Sequence, residues 1–228
     1  MRAIRKFCLD LFFPNRCPFC NRFIRWDQLL CDACIDAILY TGDELCSLCG
    51  KAPCICGEEM VYDRCYTACY YDGPVRDGIF RLKTDNGLNT AEFFGEILSE
   101  KILGDAIPVD YVVPVPMGRR KQRERGYNQA EVLARHVGHK MRVPVLNKLL
   151  QAQDTHIEQH TLTASERKEN VRSLYSIHPS VELKDKTIVL CDDVITTGST
   201  LNACSTLLKA LGARFVIAAA GATTSLKY

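Results

Sequence analysis

Val189-Leu190-Cys191-Asp192-Asp193-Val194-Ile195-Thr196-Thr197-Gly198-Ser199-Thr200 runs from an apolar strand through two adjacent carboxylates into a turn of hydroxyls and glycine. Ser199 to Leu211 then has helical apolar spacing, Gly212 reads as its stop, and Arg214 to Ala220 reads as a further strand. Strand, helix and strand in that order imply a right-handed crossover and parallel pairing. The fold class is therefore α/β, with a parallel sheet flanked by helices.

Ligands of open α/β sheets bind outside the carboxyl ends of the strands, where this turn must lie. Ile195 to Thr200 offers what a phosphate monoester needs. Backbone N–H groups open the helix, Thr196, Thr197, Ser199 and Thr200 carry hydroxyls, and Gly198 allows close backbone approach. Ordinary capping needs one hydroxyl, not four, and no acid pair. Carboxylates facing a phosphate would repel it. Asp192 and Asp193 make sense if they accept hydrogen bonds from sugar hydroxyls one step along the ligand, which suggests a ribose with its 5-phosphate in the turn.

Upstream, Val61 to Tyr71 is strand-like, Asp72-Gly73-Pro74 marks a turn, and 75–83 and 91–103 read as helices. Tyr111 to Pro116 is a short strand ended by proline. A basic loop at 118–126 follows, with five cations (Arg119, Arg120, Lys121, Arg123, Arg125) in seven positions, and then a helix over 127–140. Such a loop could close over a polyanion. Residues 151–180 are polar and poorly periodic, with a helical patch expected near 164–170.

Eleven of the thirteen cysteines precede residue 70. The opening MRAIRKFCLDLFFPNRC has charge followed by apolar residues, but Asp10 and Pro14 interrupt it and no cleavage site follows. No apolar run approaches the ~20 residues a spanning helix requires. Reduced cysteines in the cytoplasm, kept for metal, fit this pattern. Cys17-x2-Cys20-x10-Cys31-x2-Cys34 has the spacing of two zinc knuckles, and four thiolates leave no open position, so that site is structural. Cys46-x2-Cys49-x4-Cys54-x-Cys56 is less regular; these four are the candidate ligands of a second zinc, with Cys65 or Cys69 as alternatives for one of them. Cys191 and Cys204 read as small core fillers. Segment 15–58 has too little apolar mass to fold without a metal staple. The chain is accordingly divided into an N-terminal helix and zinc-finger (zinc-ribbon-like) module, 1–58, and an α/β domain, 59–228. The apolar face of residues 1–14 leaves peripheral membrane contact open. A formal net charge of +2 does not by itself imply nucleic-acid binding.

The acid pair and the Thr-Thr-Gly-x-Thr turn closely resemble the signature of type I phosphoribosyltransferases. Pro114-x-Pro116, the basic stretch and Arg125-Gly126-Tyr127-Asn128-Gln129 resemble the ComF family (ComFC/GntX type), which joins a cysteine-rich finger to such a domain. Lys83 in Phe80-Arg81-Leu82-Lys83 and Leu162-x3-Glu166-Arg167-x2-Asn170-Val171 match as well. The resemblance implies a site for phosphoribosyl pyrophosphate with Mg²⁺, Lys83 near the pyrophosphate, and Arg119 to Arg125 as the mobile loop. It also implies a role in natural competence, the uptake and handling of incoming single-stranded DNA. No acceptor pocket or general base is identifiable, so catalytic residues are unknown and a transfer reaction is left open. The alternative is a non-catalytic module that docks single-stranded DNA or competence-machinery proteins and keeps the donor site as a sensor. Tyr66, Tyr70, Tyr71 and Tyr127 are either base-stacking groups or buried strand aromatics.

Overall fold

The computed structural model describes residues 14–42, 44–54, 56, 60–84, 87–153, 174–178 and 181–224. Its main sheet has four parallel strands, β1 (Arg64–Tyr70), β2 (Tyr111–Pro114), β5 (Thr187–Ile195) and β6 (Phe215–Thr223), in the order β1-β6-β5-β2. Between β1 and β2 lie helices α2 (Gly73–Thr84) and α3 (Leu88–Gly104). Helices α4 (Arg119–Arg125) and α5 (Gln129–Met141) follow β2, and α6 (Ser199–Ala210) joins β5 to β6.

The two central strands are apolar on both faces because helices cover both. Val189 and Cys191 of β5 pack with Phe94, Leu98, Leu133 and Val137 of α3 and α5. Their neighbours Ile188 and Leu190 pack on the other face with Leu201, Cys204 and Leu208 of α6. β6 is alanine-rich, and a Cβ on its Gly221 would meet the Phe94 ring at 2.3 Å, so that glycine admits the close approach of α3. Cys191 and Cys204 are core fillers, both fully buried.

The cysteine-rich segment packs on this domain, across the compositional boundary at residue 58. Its described residues contain one short helix, α1 (Asp32–Ala37). Phe19 is inserted edge-on against Phe93, ring centroids 5.1 Å apart, and Arg81 donates to the Pro18 and Phe19 carbonyls. Lys101 of α3 donates to Thr41 O and Thr67 O, tying the linker between the cysteine groups to β1.

Several boundaries differ from the sequence expectation. The strand expected over 187–191 continues to Ile195, so the two acids are themselves strand residues. The expected loop at 118–126 is instead the two-turn helix α4, ended by Gly126 in the left-handed region (φ 81°). Alternating cations with no apolar face hid its helicity. Two short strands, β3 (Leu150–Ala152) and β4 (Tyr175–Ile177), pair antiparallel inside the stretch read as irregular. The helix expected over 1–14 and the patches at 164–170 and 162–171 lie outside the described residues, apart from Pro14.

Candidate functional site

β2 and β5 end side by side, and the chain leaves each through a different device. After β2, Val115 N donates to Cys191 O, and Asn128 holds the start of α5. Its side chain accepts from Ala130 N at 3.1 Å and donates to Val115 O at 2.9 Å. The intervening α4 projects its cations over the strand ends, since none of its residues is buried. A cleft of about 710 Å³ results, with Arg120, Lys121, Arg123 and Arg125 on one side and Asp192 and Asp193 on its floor. Lys83, at the end of α2, completes the rim and places its Nζ 2.9 Å from Asp193 Oδ2. Tyr175 of β4 forms the far wall.

The two carboxylates differ in environment. Asp192 accepts a hydrogen bond from Asp193 N at 2.8 Å, but burial, and then the negative charge of Asp193, push its carboxyl well above the usual carboxylate range. Asp193 has the Lys83 ammonium beside it. Tyr175 is pushed up to about 12, first by burial.

The turn begins two residues beyond Asp193. Thr196, Thr197 and Ser199 are exposed, Thr200 is half-buried and Ile195 is buried. Gly198 caps α6 from the left-handed region (φ 77°, ψ 0°) with no side-chain cap. Thr197 Oγ1 and Ser199 Oγ pair with each other at 2.9 Å, and Thr197 Oγ1 also accepts from Ser199 N in a long contact of 3.4 Å. Amides at a helix start, ringed by hydroxyls, suit an anion.

Both cysteine groups converge. In each of the sets Cys17, Cys20, Cys31, Cys34 and Cys46, Cys49, Cys54, Cys56, the four sulfurs lie within 4.8 Å of one another. Sulfur separations of 3.5 Å (Cys20–Cys31), 3.5 Å (Cys46–Cys56) and 3.9 Å (Cys49–Cys54) approach the roughly 3.8 Å expected across a zinc tetrahedron with ~2.3 Å bonds. The Cys49 and Leu48 backbone N–H groups bring Cys46 down to about 6. Against burial, backbone N–H groups from Cys20, Cys31 and Phe19 bring Cys17 to about 7. Cys31, Cys34 and Cys56 are pushed the other way, first by burial and then by neighbouring sulfurs, so the knuckle amides favour the metal-binding thiolate at one cysteine of each set. The short Cys54-x-Cys56 spacing closes the second set, and Cys65 and Cys69, on β1, join neither.

Residues 96–224 match the phosphoribosyl transferase domain model, more than half of the sequence. The chain belongs to the phosphoribosyl transferase domain family. Residues 8–69 match the double zinc ribbon domain, which together with the cysteine geometry supports structural zinc. This phosphoribosyl transferase domain protein is 38% identical to Competence protein F of Haemophilus influenzae over 102 residues, 44% of each chain. It is 28% identical to the DNA utilization protein YhgH of Escherichia coli K12 over 207 residues, 88% of this chain and 86% of that one. It is 27% identical to Competence protein ComFC of Streptococcus pneumoniae over 83% of this chain and 86% of that one. The chain is thus similar to proteins named for competence and for DNA utilization, and shares the phosphoribosyl transferase domain. A purine phosphoribosyltransferase from Pyrococcus horikoshii Ot3 aligns with TM-score 0.38 and 20% identity, over 61% of this chain and 85% of that one. No helix among the described residues is long and apolar enough to cross a membrane.

Within this phosphoribosyl transferase domain protein, Lys83, Asp192, Asp193 and four of the five α4 cations share one cleft, while Arg119 lies outside its lining. The turn residues 196–200 lie beyond its floor. Sequence reasoning missed Tyr175, which reaches the cleft from a stretch remote in sequence, and Asn128, which looked like part of a motif rather than a cap. Tyr66, Tyr70 and Tyr127 give their hydroxyls to Asp105, Glu44 Oε1 and Leu82 O, so these rings are held in packing positions.

Proposed function

We propose that the protein binds phosphoribosyl pyrophosphate as its Mg²⁺ complex and serves natural competence. The observation that carries this reading is the Lys83–Asp193 contact beside Asp192, with a cation-lined cleft on one side and the open hydroxyl turn on the other. Asp192 and Asp193 would accept from the ribose 2- and 3-hydroxyls, and the turn from Ile195 to Thr200 would hold the 5-phosphate. The α4 cations would face the pyrophosphate. On binding, ribose hydroxyls take over Asp193, and the Lys83 ammonium turns to the leaving group.

With an acceptor present, the bond from the anomeric carbon to pyrophosphate breaks and one to the acceptor forms. The transition state is oxocarbenium-like, so positioning and neutralisation of the leaving pyrophosphate dominate. Mg²⁺ carried on the substrate oxygens supplies part of that neutralisation. A calorimetric titration of phosphoribosyl pyrophosphate with Mg²⁺ tests the reading. Saturable binding that is abolished in the Asp192→Asn, Asp193→Asn double variant supports it, and equal affinity in the two proteins overturns it.

A second reading is favoured by the exposure of α4. It treats the protein as a non-catalytic module in which these cations contact single-stranded DNA or a competence partner and the donor site acts as a sensor. DNA affinity that falls steeply with salt and survives the double aspartate variant supports it. Pyrophosphate release on offering nucleobases contradicts it.

A further inference from the structure

One buried side chain joins the second cysteine set to the turn. Lys51, two residues past Cys49, is 1% exposed, and its Nζ donates to Ile195 O at 3.1 Å, Thr224 O at 2.8 Å and Thr224 Oγ1 at 2.8 Å. Ile195 is the last residue of β5 and immediately precedes the hydroxyl turn. Its carbonyl also accepts from Thr224 N at 3.1 Å, so Lys51 closes a small network under the ends of β5 and β6. The backbone around Lys51 is fixed from both sides. Cys46 N donates to Lys51 O, Gly50 N to Cys46 O, and Thr223 Oγ1 to Gly50 O at 3.1 Å. The buried Tyr62 lies close to the turn, its hydroxyl 3.3 Å from where a Cβ on Gly198 would stand.

Burying an ammonium is unfavourable unless its protons are all donated, and here all three have acceptors. A four-cysteine knuckle needs no lysine, and a Met or Leu would fill the same space without that penalty. What the lysine adds is direction. It fixes the Ile195 carbonyl, and with it the path by which the chain enters Thr196. Among the described residues the first cysteine set has no counterpart to this link; its contacts run through Phe19, Arg81, Asn89 and Thr90 to α2 and α3.

We propose that Lys51 is a positioning residue for the Thr196–Thr200 turn, and that through it the metal state of the Cys46, Cys49, Cys54, Cys56 set governs how well the turn holds phosphate. The second clause rests on the phosphate reading of the turn given above. Metal cross-links the knuckle that orients Gly50 and Lys51. Without that cross-link the Ile195 carbonyl keeps only Thr224 N, and the amides beyond it no longer hold one arrangement. The device would make donor binding conditional on an intact finger.

The test compares full-length zinc-loaded protein with Lys51→Met, Thr224→Val and Cys54→Ser, reading amide hydrogen exchange and the titration of ribose 5-phosphate. Lys51→Met, retaining its zinc, is expected to exchange the 196–200 amides about ten-fold faster and to bind ribose 5-phosphate about ten-fold more weakly, the loss of roughly one charge-assisted hydrogen bond. Exchange in α3 and β2 stays as in the parent, which a general loss of stability would not allow. Cys54→Ser, short of one zinc, shows the same local signature. Thr224→Val, which removes one acceptor and leaves Lys51 in place, shows a smaller version and serves if Lys51→Met does not fold. Parental exchange at 196–200 in a folded Lys51→Met, or in Thr224→Val if that variant must stand in, overturns the positioning role. Parental exchange in Cys54→Ser overturns the metal link. If the parent itself does not bind ribose 5-phosphate, the phosphate reading of the turn falls, while the exchange data still decide the Lys51 link.

Discussion

Lys83 Nζ stands 2.9 Å from Asp193 Oδ2, joining the end of α2 to the end of β5 across the mouth of the cleft. Both side chains are partly shielded, 31% and 18% exposed, so the pair is more than a surface ion pair and less than a buried one. It brings a cation to the carboxylates while leaving Asp192 without one of its own.

Replacing Lys83 by Met should therefore discriminate between ligands. Affinity for phosphoribosyl pyrophosphate is expected to fall about ten-fold, or roughly 1.4 kcal/mol. Ribose 5-phosphate, which lacks the pyrophosphate, should lose much less. Parallel calorimetric titrations check this, and equal losses for both ligands would place Lys83 outside the pyrophosphate end.

Asp192 links affinity to stability. Its carboxyl is raised from an ordinary 3.8 by burial and by Asp193, so the folded protein keeps a proton that the unfolded chain gives up. Stability contributed by this group is present below about 3.8 and is lost as pH rises toward the raised value. Asp192→Asn removes both the repulsion and that slope. A higher Tm at neutral pH, a flatter stability curve above pH 4 and weaker phosphoribosyl pyrophosphate binding are expected together. An unchanged Tm would mean that Asp192 is not strained in the fold.

The hydroxyl turn was legible because it is contiguous: an apolar strand, two acids, hydroxyls, glycine and helix in one short run. The parallel crossover followed from the same stretch, and β5 pairs with β6 as expected. Lys83 was reached through resemblance, since one lysine at a helix end gives no sign that Asp193 is its partner. Lys51 gave no sign at all. Its acceptors lie at the far end of the chain, and a lysine among cysteines looks like a solvated charge. The α4 segment was legible as a cationic face but not as a helix, because helicity was judged from apolar spacing. Three-residue strands such as β3 and β4 are too short to leave a period.

Metal analysis should find two zinc ions per chain. Cys34→Ser and Cys49→Ser should each lose one, and removing the first should also loosen the Phe19–Phe93 contact and lower Tm. A single zinc in the parent protein would contradict the reading of the Cys46, Cys49, Cys54, Cys56 set.

Gly198→Ala puts a Cβ on a left-handed residue and crowds the Tyr62 hydroxyl. The backbone strain should destabilise the fold by about 1–2 kcal/mol in urea unfolding. Binding of ribose 5-phosphate should suffer more than that loss implies, because the same strain reorients the amides. Affinity equal to the parent would remove the turn from the site.

The most direct measurement is diffraction from crystals soaked with phosphoribosyl pyrophosphate and Mg²⁺. The expected map places the 5-phosphate within hydrogen-bond distance of the 197–200 amides, the ribose hydroxyls on Asp192 and Asp193, and the pyrophosphate toward Lys83 and α4. Density for the ligand elsewhere, or phosphate bound by the α4 cations with the turn left bare, would contradict it.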